Sequence, residues 1–162
     1  MNTATQVTIL NVDDQDAPRY VKTRDLQQAG FAVLEASDGA ETLRLFKQHK
    51  PPVILLDVHL PDIIGYEVCR QIKQKSPGTM VLMTSATFTA TDDRVLALES
   101  GADTFLVQPA EPLELVAAIN ALLRIRRTEE ELRRLNETLE QRVRDRIAEL
   151  AKANEKLKNE IA

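Results

Sequence analysis

The chain has 162 residues, 43% of them hydrophobic, and a formal net charge of −4. That length is about one domain with little to spare, and the acidity argues against a nucleic-acid binder, which needs clustered Lys and Arg to meet phosphates. One cysteine, Cys69, excludes an internal disulfide framework and fits a reducing compartment.

The N-terminal MNTATQVTILNV lacks a basic region followed by a long apolar stretch, so no secretory signal is read. No apolar run approaches the ~20 residues that span a bilayer. A soluble cytoplasmic protein is expected, with no nucleic acid and no membrane as partner of this chain. Two halves of different character are expected, residues 1–123 and 124–162. Residues 124–162 hold 11 basic and 9 acidic side chains, leaving 10 basic and 16 acidic in residues 1–123. The first is an acidic compact domain; the second is a mixed-charge helix.

Short apolar runs punctuate the first half: VTILNV (7–12), FAVLEA (31–36), VILLD (53–57), MVLMTS (80–85) and TFLVQ (104–108). The segments between them have helical length and period, with Val68 and Ile72 four apart, and Leu43–Phe46 and Val95–Leu98 three apart. Asp38-Gly39 and Ser76-Pro77-Gly78 read as turns. Gly30 and Gly101 stand where helices would end. Strands alternating with helices imply an α/β fold, a parallel sheet covered on both faces. Such sheets place ligands beyond the carboxyl ends of their strands.

The first strand ends in Asp13 and Asp14, and the third, otherwise fully apolar, ends in Asp57. If both strands are parallel and central, three acids gather at one end of the sheet and repel. A hard divalent cation relieves this, and Mg²⁺ (or Mn²⁺) needs only one or two carboxylates and a carbonyl. A lone Asp after a strand is more often a loop or helix cap, and DDQD alone could cap the next helix through Asp16. The fourth strand delivers Ser85 and Ala86, a hydroxyl followed by a small residue that lets a backbone N–H approach an anion. The fifth delivers Phe105, Gln108 and Pro109, the proline fixing the chain direction on a cis or sharply turned peptide.

ILNVDDQ, VILLDVHLPD, LMTSA, SGADTFLVQP and the turn ASDGAETL together resemble a response-regulator receiver domain, over residues 7–123. The resemblance implies a doubly wound, flavodoxin-like five-stranded sheet of order 2-1-3-4-5 with five helices. It also implies phosphoryl transfer from a histidine kinase or phosphotransfer protein to an aspartate, with Mg²⁺. Asp57 resembles the phosphoacceptor, Asp14 the direct metal ligand and Asp13 its water-mediated helper. His59 would lend the metal its backbone carbonyl, its imidazole being incidental. Ser85 resembles the hydroxyl that meets the phosphoryl oxygen, and Phe105 the aromatic whose rotamer follows phosphorylation. One position departs: the family has lysine before the last strand's proline, and here it is Gln108. An amide can donate a hydrogen bond but cannot neutralise charge.

From Leu113 on, the sequence has neither Gly nor Pro. Leu115, Ile119 and Leu122 share one helix face. Beyond them Leu132, Leu135, Leu139, Val143, Ile147, Leu150, Asn154, Leu157 and Ile161 step by threes and fours, a heptad seam with a stutter near Val143. Ile147, Asn154 and Ile161 fall at a, Leu150 and Leu157 at d, the pattern of a parallel two-stranded coil in which Asn154 fixes register. A single helix from Pro112 to Ala162 would run about 75 Å and leave its stripe in water. The tail also resembles the signalling-helix linkers that precede output modules in bacterial signalling proteins.

The leading expectation is a phosphoacceptor receiver, not an enzyme in its own right, controlling a coiled-coil homodimer. Its rival is a degenerate receiver acting as a phosphorylation-independent dimerisation scaffold. A haloacid-dehalogenase-type hydrolase would also use Asp and Mg²⁺, but it needs a second acid where His59 stands.

Overall fold

The computed structural model describes residues 5–87 and 90–161; residues 1–4 and 162, at the ends of the two expected halves, lie outside the described residues. The strands are β1 (Thr8–Val12), β2 (Ala32–Ala36), β3 (Val53–Asp57), β4 (Met80–Ser85) and β5 (Thr104–Val107). They alternate with α1 (Asp16–Gln28), α2 (Gly39–His49), α3 (Gly65–Lys75), α4 (Thr91–Glu99) and α5 (Pro112–Ile161). All strand pairs are parallel, in the order β2-β1-β3-β4-β5. This is the doubly wound sheet that the resemblance implies. The strand β5 stops at Val107, one residue before the expected Gln108.

Alternation along each strand sorts the core into two layers. Leu10, Val12, Ile54, Leu56, Val81 and Met83 pack against Phe46, Val68, Ile72 and Ala97 of α2, α3 and α4. Ile9, Val53, Leu55, Met80, Leu82 and Leu106 pack against Leu26 of α1 and Leu115, Ile119 and Leu122 of α5. Each fully buried Leu or Ile contributes about 1.5–3 kcal/mol. The single cysteine, Cys69, is fully buried in the first layer, and burial pushes its thiol pKa up.

The same period of two places the polar strand ends. Asn11 and Asp13 follow Ile9 on the α1/α5 side, Asp57 follows Val53 and Leu55, and Thr84 follows Met80 and Leu82. Asn11 reaches α1, donating to the Arg19 carbonyl and Thr23 Oγ1, each at 3.0 Å.

Helix ends follow local chemistry. Gly30 and Gly101, both at φ 96°, sit just past the caps Ala29 and Ser100, where only glycine avoids strain. Asp38-Gly39, read above as a turn, is instead the start of α2. The Asp38 carboxylate accepts the Glu41 N–H at 2.7 Å, an N-cap. Asp62 holds the same helix start from outside, accepting the Gly39 and Ala40 N–H groups at 2.7 and 2.9 Å. These bonds lower the Asp62 pKa, Gly39's most of all. Val95 and Leu98 do lie on one helix, but they face solvent; the buried residue of α4 is Ala97.

Gly65 starts α3 against the backbone that follows β3. Its N–H donates to the Val58 carbonyl at 2.8 Å. A Cβ there would press on the Asp57 carbonyl oxygen and lie 2.9 Å from Val58 Cα. Gly65→Ala is expected to destabilise the domain by about 1–3 kcal/mol, because backbone rather than a pliant side chain must yield. A thermal melt checks this, and an unchanged melting temperature would refute the close approach.

Residues 1–126 and 127–162 form two compact units. In the second, Gln141 Nε2 donates to Asp145 Oδ1 and Arg146 pairs with Glu149, at 2.9 and 3.2 Å. Its seam residues Leu132, Leu135, Leu139, Val143, Ile147, Leu150, Asn154, Leu157 and Ile161 are all exposed. No helix among the described residues is long and apolar enough to cross a membrane.

Candidate functional site

Three carboxylates meet at the carboxyl ends of β1 and β3. Asp13, Asp14 and Asp57 each offer an oxygen, and these oxygens lie within 4.8 Å of one another. The register makes this unavoidable: Val12 pairs with Leu56 across β1 and β3, so the next residue of each strand stands side by side. Asp13 and Asp57 are buried and Asp14 is exposed. A cluster of hard oxygen donors, half in and half out of water, suits a divalent cation of the Mg²⁺ type that keeps some of its waters.

Asp57 makes the electrostatic strain visible. Its pKa is raised to about 6, first by burial and then by the charges of Asp13 and Asp14; Lys22 and His59 pull the other way. His59 is exposed, and its Nε2 lies 3.4 Å from Thr87 Oγ1.

Each Asp13 carboxylate oxygen accepts one hydrogen bond. Its Oδ1 accepts the Gln15 N–H at 3.0 Å and its Oδ2 accepts from Lys22 Nζ at 2.8 Å. The pair is buried on both sides. Asp16, the alternative cap, instead pairs with Arg19 at 2.6 Å, and the cap position, Gln15, makes no side-chain cap bond.

Ser85 ends β4, almost wholly buried, with its Oγ 2.9 Å from Thr87 Oγ1 and accepting the Thr87 N–H at 3.0 Å. Ala86 follows, exposed. Phe105 lies on the α4 side of β5, half-buried against the first core layer. The Arg94 guanidinium sits 5.6 Å from its ring centroid. Gln108 follows β5, its N–H donating to the Ser85 carbonyl at 3.0 Å, and the Gln108–Pro109 peptide is cis.

A cavity of about 450 Å³ opens between α1 and the segment joining β5 to α5, and Lys22, the partner of Asp13, is in its wall. Lys22, Thr84, Ala86, Gln108 and Leu115 are among its lining. Lys22 and this cavity are what sequence reasoning missed. A signal existed: Lys22 lies four residues before the core residue Leu26, so a lysine stands on the buried face of α1, where it is rare without a partner.

The response regulator receiver domain family matches residues 9–120. The alkaline phosphatase synthesis transcriptional regulatory protein PhoP of Bacillus subtilis is 40% identical over 119 residues, covering 72% of this chain and 48% of PhoP. The chain spans about half the length of the curated relatives it matches. Among solved structures, a CheY-like receiver domain protein from Methanospirillum hungatei superposes with a TM-score of 0.73 at 26% identity. That match covers 77% of this chain and 99% of the other. A BeF3-activated DrrB receiver domain, DrrB being a Thermotoga maritima protein, superposes with a TM-score of 0.68 at 31% identity. It covers 74% of this chain and 98% of the other. With the parallel sheet and the acid triad at its carboxyl edge, these matches identify the chain as a member of the response regulator receiver domain family.

Proposed function

We propose that Asp57 accepts a phosphoryl group from a sensor histidine kinase or phosphotransfer protein, and that the resulting change is relayed through α5 to a parallel coiled-coil dimer. The observation that carries the first half is the meeting of Asp13, Asp14 and Asp57 within 4.8 Å at the carboxyl edge of the sheet. The BeF3-activated state named for the similar DrrB domain supports the same chemistry.

An Asp57 oxygen attacks phosphorus; the new P–O bond forms as the donor's P–N bond breaks, and the electron pair returns to the donor imidazole. A divalent cation held by Asp13, Asp14, Asp57 and the His59 carbonyl would supply positive charge for the phosphoryl oxygens. Ser85 Oγ, now shared with Thr87, would turn its hydroxyl to one of those oxygens, and the Ala86 N–H would donate to another. The phosphoryl group adds about one further negative charge and three acceptor oxygens. As Ser85 moves, Phe105 can follow into the space it leaves, altering the α4–β5 face.

Labelling with a radioactive acyl phosphate in Mg²⁺ tests the acceptor role. Wild type should take up label that Asp57→Asn does not. Equal label in both would end the proposal. Gln108, an amide where the family has lysine, favours the scaffold reading; that reading requires unlabelled wild type and dimerisation indifferent to the phosphodonor.

The relay half rests on the seam. Its eight apolar side chains are 49–84% exposed in the single chain, and a second copy in register would bury them.

A further inference from the structure

We propose that Lys22 of α1 is the phosphoryl-binding cation of this site, supplying from a helix the positive charge that Gln108 cannot. The inference rests on the acceptor role of Asp57 and assigns a residue to it.

Four observations converge. Lys22 is only 8% exposed, and a lysine is placed so deeply only when an anion holds it. Its ammonium lies 2.8 Å from Asp13 Oδ2, and Asp13 offers an oxygen within 4.8 Å of Asp57. Lys22 is also among the charges that act on Asp57, and in the lowering sense. The ammonium therefore stands against the acid cluster, on its Asp13 side.

The wall that Lys22 shares is short of acceptors. Lys22, Thr84, Ala86 and Gln108 line one cavity. Gln108 Nε2 and Thr84 Oγ1 are buried there without a hydrogen-bond partner among the described residues. Orphan donors on two residues that share a cavity wall with a buried cation are what an anion's oxygens would satisfy, and a buried donor left unmet is costly. Strand parity explains the grouping: Asp13, Asp57 and Thr84 extend the α1 side of their strands, the side on which Lys22 stands.

The roles divide between states. Without an anion, Lys22 neutralises part of the acid cluster and competes with a divalent cation for Asp13. With a phosphoryl group on Asp57, its charge serves the new oxygens, and Gln108 adds a neutral donor. A mobile ammonium with three donors suits this exchange.

Beryllofluoride, an acyl-phosphate mimic, is the probe, followed by ¹⁹F NMR at saturating Mg²⁺; Mg²⁺ affinity is measured separately by calorimetry. Lys22→Met should bind Mg²⁺ several-fold more tightly and beryllofluoride at least tenfold more weakly. Lys22→Met/Gln108→Lys should recover most of the beryllofluoride affinity. A folded Lys22→Met with wild-type beryllofluoride affinity overturns the assignment and leaves a lysine that only pairs with Asp13. Should Lys22→Met not fold, Gln108→Lys alone decides. Less than a threefold gain is expected, because a cation is already present; a tenfold gain overturns the proposal. Wild type with no Asp57-dependent signal overturns the acceptor reading, and the Lys22 assignment with it.

Discussion

Asp57→Asn is expected to make the metal-free protein more stable at pH 7, although it removes the residue on which the proposed function depends. The Asp57 pKa is raised to about 6 from 3.8, so the native state binds its proton more tightly than the unfolded chain does. Between about pH 4 and pH 6 the native state keeps a proton that the unfolded chain has released. Stability therefore falls as pH rises through that window, and above it the ionised Asp57 exerts its full cost. One pKa unit corresponds to about 1.4 kcal/mol, so the neutral amide should return on the order of 1–3 kcal/mol. That is roughly 3–10 °C in melting temperature for a domain of this size.

Magnesium should reverse the ranking. A cation that binds only the native state stabilises it by mass action, and wild type offers one more carboxylate than Asp57→Asn. Melting curves in EDTA and in millimolar Mg²⁺, at pH 5 and pH 7, check both parts. An Asp57→Asn protein less stable than wild type in EDTA at pH 7 would mean that the three acids do not strain the fold.

On the proposed coiled coil, Leu150→Asp should dissociate the dimer. Leu150 falls at d in the proposed seam and is 62% exposed in the single chain. Burying a leucine gains about 1.5–3 kcal/mol, and a dimer buries two. Replacing both with buried carboxylates should raise the dimer Kd by roughly 10²–10⁴-fold and lower the helicity of residues 127–161, because an isolated helix with an unmatched stripe is marginal. Sedimentation and circular dichroism together read this out. Asn154→Leu should act in the other direction, tightening association while loosening the choice of strand number. A wild-type chain that sediments as a monomer at about 100 μM would remove the coiled-coil proposal outright.

The fold was legible because its strands announce themselves. VILLD and MVLMTS are buried on both faces, so they read as unbroken apolar runs, and their bounds agree with β3 and β4. The acid triad was legible for a related reason: Asp57 has no place in such a run unless the strand's end has a use for it. Other features were hidden because they depend on tertiary partners. Asp38-Gly39 has turn composition, and only the Glu41 N–H and the distant Asp62 show it to be a helix start. Val95 and Leu98 have helical spacing, but spacing alone does not say which face meets the sheet. Lys22 was hidden most deeply. A lysine in a helix reads as surface, and its burial follows from Asp13, nine positions earlier and on a strand.

Cys69 gives the molecule a built-in reporter. It is the chain's single thiol, it is sealed beneath α3, and burial keeps it from ionising readily. A cysteine introduced on the surface would therefore carry a spin label or cross-linker alone, with no need to delete the native one. Alkylation of Cys69 itself would clock the rate at which α3 lifts from the sheet.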